Sequence, residues 1–136
     1  MQIIENYSLK HLNTFGIEAS AKYFVQLNST KEIVDFVKGK YSSGHKQLIL
    51  NGGSNTLFTQ DFDGLVMKIN NQGWDIIDEN YDFVFVKVSA GENWDNFVRQ
   101  SIDQGYSGLE NLSMIPGNVG AAPIHNIGAY GVKQKD

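Results

Sequence analysis

A mixed fold, α/β or α+β, is what the sequence predicts. The grounds are a capped amphipathic helix near residues 30–42, an alternating strand at Phe83–Ser89, and short links between such segments. Ser29-Thr30-Lys31-Glu32 fits a capping box. Ile33, Val34, Phe36, Val37 and Tyr41 then recur at helical spacing until Gly44, which predicts a helix whose apolar stripe faces a sheet. Gln47-Leu48-Ile49-Leu50 is a short apolar run closed by Asn51-Gly52-Gly53, a strand entering a tight loop. Gly64 to Asn70 reads as a further strand. In Phe83–Ser89, Phe83, Phe85 and Lys87 fall on one face and Val84, Val86 and Val88 on the other. After Ala90-Gly91-Glu92-Asn93, residues Trp94, Phe97, Val98 and Ile102 keep helical intervals up to Gly105, with Trp94, Phe97 and Val98 as core.

Turn formers gather at Asn70-Asn71-Gln72-Gly73 and Asp78-Glu79-Asn80, marking a boundary near 71–82 between two small lobes, 1–72 and 73–136. No internal repeat is visible. The sequence stops at Gly131-Val132-Lys133-Gln134-Lys135-Asp136 without a terminating element, as if cut from something longer.

Composition excludes several function classes. With 136 residues, 41% hydrophobic and 19% charged, the chain is an ordinary globular one. The absence of cysteine removes disulfides, thiolate zinc sites and cysteine nucleophiles. A formal charge of -4 with no basic patch argues against nucleic acid as a partner. No apolar run approaches the roughly 20 residues of a membrane span, and Met1–Asn6 lacks a signal-peptide pattern, so no membrane partner and a cytoplasmic location are expected. The sequons at Asn6, Asn28 and Asn111 carry no weight without a secretory signal. His11, His45 and His125 share no metal-binding spacing, and Asp61-Phe62-Asp63-Gly64, with Thr59 where a calcium loop would begin, reads as a surface turn.

Two stretches can carry chemistry. In Leu48–Phe58 a strand delivers Gly52 and Gly53 and then Ser54, Asn55 and Thr56. Backbone N–H groups and two polar side chains could there cradle a diphosphate without a lysine, although a plain turn fits the same residues. From Gln104 to Val132 the only charged residue is Glu110, and both prolines lie there with Gly105, Gly108, Gly117, Gly120, Gly128 and Gly131. Such a run suits a ligand lying flat against backbone, or a glycine-rich packing loop. Pro123 could open a short helix after Gly120 and offer a second anion site. No nucleophile with its base can be assembled from spacing.

Taken together, Asn13-Thr14-Phe15-Gly16-Ile17, Asn51–Phe58, Asp61–Val66, Ala90-Gly91-Glu92-Asn93-Trp94 and Gly108–Gly131 resemble the UDP-N-acetylenolpyruvoylglucosamine reductases, also called UDP-N-acetylmuramate dehydrogenases, in order and over nearly the whole chain. The resemblance implies an α+β FAD-binding fold of the vanillyl-alcohol oxidase and p-cresol methylhydroxylase type. In it two lobes grip the flavin, and the second lobe would be incomplete here. It implies that Gly52, Gly53, Ser54, Asn55 and Thr56 bind the FAD pyrophosphate. Ile115, Pro116, Gly117, Gly120, Ala121, Ala122, His125, Asn126, Ile127, Gly128 and Tyr130 would line the rest of the cofactor. Family members often carry Gln at the position of His125 and Ser at those of Ala121 and Ala122, so the contacts implied at these three are through backbone.

The family's activity is NADPH-dependent reduction of UDP-N-acetylglucosamine enolpyruvate through FAD, in peptidoglycan synthesis. Its general-acid serine, its arginine and glutamate, and its UDP-sugar domain match nothing here, so no catalytic residue is expected in this chain. A related flavin oxidoreductase acting on another substrate would share the fold but not the Gly108–Gly131 wording. A bare binding module would follow if the reading frame ends at Asp136.

Overall fold

The computed structural model describes residues 1–39 and 44–133, in two units, Met1–Asn71 and Gln72–Asp136. Helices and strands mix in an α+β arrangement.

The first unit is built on a four-stranded sheet. Strand β1 (Ile3–Ser8) pairs antiparallel with β2 (Ser20–Leu27), and β2 and β3 (Gln47–Leu50) flank β4 (Phe62–Ile69) in parallel, giving the order β1-β2-β4-β3. Helix α1 (Thr30–Lys38) makes the crossover from β2 to β3. Its start follows from local hydrogen bonding: the Ser29 hydroxyl accepts the Glu32 N–H at 3.1 Å, and the Glu32 carboxylate accepts the Asn28 N–H at 2.7 Å, one residue before the usual return of a capping box. The helix buries Phe36 completely and Ile33 partly, while Val34 and Val37 are exposed, so the stripe is narrower than the spacing suggests. The expected extension to 42, including Tyr41, lies outside the described residues. The core joins Leu9, Ala19, Ala21, Phe24, Leu50, Phe58 and Val66, with the Tyr7 ring stacked on Phe24 at 3.9 Å.

Strand β4 begins two residues before Gly64 and takes in Phe62 and Asp63, which the sequence reading assigned to a surface turn. Charge is tolerated there because the exposed Asp63 pairs with Lys22 of the neighbouring strand at 2.9 Å. That contact holds the Asp63 carboxyl below, and the Lys22 ammonium above, its usual range. Neither β1 nor β2 was marked by sequence pattern, and a register shift between Ala21 and Tyr23 breaks the alternation of β2.

In the second unit β5 (Trp74–Glu79) and β6 (Val84–Val88) form an antiparallel hairpin closed by Asn80, whose side-chain oxygen accepts the N–H groups of Asp82 and Phe83. Residues 74–79, expected within the boundary region, are thus a strand. Its signal is hidden by a bulge between Ile76 and Asp78 and by exposure of every residue after Trp74. Helix α2 (Trp94–Asp103) is capped by Asn93, which accepts the Asn96 N–H at 3.0 Å. It presents Trp94 and Val98 to Leu112 and Ala122, and Trp74 meets Phe97 edge-on at 5.6 Å. Ser101, bonded to the Val98 carbonyl, is buried where Ile102 was expected. Short 3-10 turns at Glu110–Leu112 and Val119–Ala121 precede α3 (Ala122–His125), and β7 (Gly128–Ala129) pairs with β8 (Val132–Lys133). Among the described residues no helix is long and apolar enough to cross a membrane.

Phe36 fills its place with no exposed surface. We expect Phe36→Ala to destabilise the first unit by about 3–5 kcal/mol, read as a lowered urea midpoint with little change in slope.

Candidate functional site

Residues 51–55 leave the carboxyl end of β3, the place where open parallel sheets receive ligands. Gly53 has φ +65°, and a Cβ built on it would lie 2.0 Å from the Leu12 carbonyl oxygen. The glycine is required, therefore, by the chain's own backbone rather than by the approach of a phosphate. What it meets is the turn at Asn13–Ile17, another of the segments singled out from sequence. The buried Asn13 amide donates to the Leu9 and Ile17 carbonyls at 2.9 and 3.1 Å and accepts the Ile17 N–H at 3.0 Å, closing the turn on itself. Thr14 then ties the turn to the loop, its N–H donating to Gly53 O at 3.2 Å and its hydroxyl to Ser54 O at 3.4 Å.

The loop so pinned has its donors unspent. Among the described residues the N–H groups of Gly52, Gly53, Ser54 and Asn55 meet no acceptor, nor do the Ser54 hydroxyl and the Asn55 amide. Consecutive free N–H groups of this kind form an anion-binding concavity. The buried Asn51 Oδ1 lacks a donor as well. Behind the loop, the Lys68 ammonium donates to the Asn51 carbonyl, and partial burial pushes its pKa down. The sequence reading had a cradle without a lysine. Lys68 lies thirteen residues after Asn55, beside Leu50 in the parallel register, and its one sequence signal is a charge inside the apolar run Gly64–Ile69.

In the second unit the uncharged run is held to Ala90–Trp94 almost wholly through backbone. The N–H groups of Trp94, Val119 and Gly120 donate to the carbonyls of Gly117, Glu92 and Ala90 at 3.1, 2.9 and 2.9 Å, and the Asn118 amide donates to Gly91 O at 2.6 Å. Gly120 has no room for a side chain, since a Cβ there would lie 2.7 Å from that of Ala90. The Trp94 indole N–H reaches the Leu112 carbonyl at 2.7 Å, and the buried Glu92 carboxylate accepts the Gly73 N–H at 2.8 Å. The Glu110 carboxyl is held below its usual range by its own N–H and that of Gly108.

Of the residues singled out here, Ala122 is buried in the core and Ile115, Gly117, Gly120, Ala121 and Ile127 are half-buried, while Pro116, His125, Asn126, Gly128 and Tyr130 are exposed. Pro123 does stand in the first turn of α3. Asn126 and Tyr130 adopt left-handed backbone, φ 44° and 52°, with Asn126 closing α3 through bonds to Ala122 O and Pro123 O. Residues 52–56 lie in the first unit and 115–130 in the second, so each group is brought together within its own unit. A separate cavity of about 520 Å³ in the second unit is lined by Tyr81, Phe83, Phe97, Tyr106 and their neighbours, and by none of the predicted site residues.

Two glycines at positive φ separate strain from collision. Gly53→Ala should cost about 2–5 kcal/mol of stability, combining left-handed strain with overlap on Leu12. Gly105→Ala, at φ +85° with nothing within 4 Å, should cost only about 1–2 kcal/mol. Urea unfolding of the two variants checks the ranking.

Comparison with known proteins bears on what the donors receive. A UDP-N-acetylenolpyruvoylglucosamine reductase from Flavobacterium johnsoniae is 51% identical over 136 residues, all of this chain and 40% of the relative. One from Pseudomonas aeruginosa is 43% identical over 136 residues and again 40% of its length. The chain spans about 40% of the length of these curated relatives. In fold it is similar to the solved UDP-N-acetylenolpyruvylglucosamine reductase (MurB) from Thermus caldophilus, with TM-score 0.69 at 22% identity over 97% of this chain and 44% of that one. Residues 21–136 match FAD_binding_4, described as FAD binding domain, and with most of its length inside that match the chain belongs to this FAD-binding family.

Proposed function

We propose that this chain is the FAD-binding portion of a bacterial flavoenzyme that reduces UDP-N-acetylglucosamine enolpyruvate to UDP-N-acetylmuramate with NADPH, in the cytoplasm, for peptidoglycan synthesis. The observation that carries this reading is the 51% identity to a reductase of that name over the full chain. The donor set agrees with it. Four N–H groups, a hydroxyl and an amide without acceptors at 52–55 suit a diphosphate.

In this reading the units Met1–Asn71 and Gln72–Asp136 are the two FAD-binding lobes. Gly52, Gly53, Ser54, Asn55 and Thr56 hold the pyrophosphate. The half-buried and exposed residues of 115–130 line the remainder of the cofactor, mainly through backbone. Bound FAD supplies the hydride chemistry between NADPH and the enolpyruvyl group, and this chain supplies binding and orientation. Contacts with the UDP-sugar and the proton donor belong to the part of the parent protein outside the matched stretch, and the chain by itself does not turn over.

Asn55→Asp tests the pyrophosphate assignment without changing shape. Asn55 is exposed and its side chain is unbonded, so folding stability should stay within about 0.5 kcal/mol of wild type. A carboxylate facing a diphosphate should weaken FAD binding by the full-length protein at least about tenfold, or about 1.4 kcal/mol. Flavin absorbance retained through gel filtration gives the measure, and wild-type retention by the variant would remove residues 52–55 from the site.

A further inference from the structure

We propose that Lys68 is a positioning residue for the dinucleotide, aiming the Gly52 N–H at the pyrophosphate by holding the Asn51 carbonyl from behind. The inference rests on the flavin reading above and adds to it a residue that neither the loop motif nor the resemblance includes. Its geometry is simple. The Asn51–Gly52 peptide is trans, so its C=O and N–H point in opposite directions. An ammonium bound to the oxygen therefore fixes the hydrogen on the far side, where Gly52 is exposed and its N–H has no acceptor among the described residues. Charge at the carbonyl also polarises the peptide, which makes that N–H a stronger donor to an anion.

Lys68 stands in surroundings uncommon for a lysine. It is half-buried near the carboxyl end of β4, beside Leu50, in a stretch otherwise free of charge. Among the described residues it forms no ion pair, and its side chain's one hydrogen bond goes to Asn51. Desolvating a cation is unfavourable, and what offsets it here is the Asn51 carbonyl, so the ammonium is committed to the peptide group that carries the Gly52 N–H. A lysine that merely laid its methylenes along the sheet would keep its head in water.

The test uses the apo form of the full-length protein. FAD binding is followed by quenching of flavin fluorescence, with ADP and adenosine as competitors that do and do not carry the diphosphate. Lys68→Met should weaken FAD and ADP at least tenfold each and leave adenosine within twofold, while Lys68→Arg should recover FAD affinity to within threefold of wild type. If the Met variant melts early, Lys68→Gln takes its place with the same readings. Unchanged FAD and ADP binding would overturn the proposal, as would equal losses for ADP and adenosine, which mark a general loss of structure. Failure of the wild-type protein to bind FAD would instead overturn the flavin reading itself.

Discussion

Backbone lying directly on backbone at Gly53 is the constraint on which the first unit's candidate binding loop depends. The Leu12 carbonyl occupies the space where residue 53 would carry a Cβ, and the positive φ at Gly53 turns the loop out of β3. The same contact fixes where the free N–H groups of 52–55 face, because the loop is pinned by Thr14 on one side and by Lys68 on the other. A site built from main-chain donors needs such a frame, since the peptide groups cannot be re-aimed by choosing another rotamer.

The second unit repeats this logic at Gly120, where Ala90 leaves no space for a side chain and three backbone bonds join 90–94 to 117–120. The sequence segments therefore work in pairs. Asn13–Ile17 braces Asn51–Asn55, and Ala90–Trp94 braces Gly117–Gly120, with one member of each pair supporting a surface that the other presents. The bracing side chains, Asn13 and Glu92, are buried and satisfy backbone groups, so their polarity serves the fold.

Legibility in the sequence tracked how locally each feature is determined. Helix α1 was readable because its cap, Ser29, bonds within three residues, α2 because Trp94, Phe97 and Val98 recur at helical spacing, and β3 because an apolar run leads into a glycine pair. Strands β1, β2 and β5 were not, since the latter two are bulged and β1 and β5 are largely exposed, so period two is lost. The glycines of the loop were recognisable, but the reason for Gly53 was not: its collision partner lies forty-one residues away. Lys68 was equally out of reach, since only strand register brings it beside the loop. The Gly108–Gly131 wording was legible as a unit, although its attachment to Ala90–Trp94 is a tertiary fact.

The peptide path of the second unit depends little on the side chains of Ala122 and His125. Ala122 is 2% exposed and packs with Trp94, Val98 and Leu112, where a methyl group suits the neighbours better than an unpaired hydroxyl. His125 is exposed beside the αL residue that ends α3. Neither side chain sets the peptide path from Gly117 to Asn126, which is held by Gly117, Gly120 and the carbonyls of Ala90 and Glu92. Side chains along such a run are free to vary wherever they face solvent or a shallow core. Gly120 is not, because Ala90 fills the space its Cβ would take.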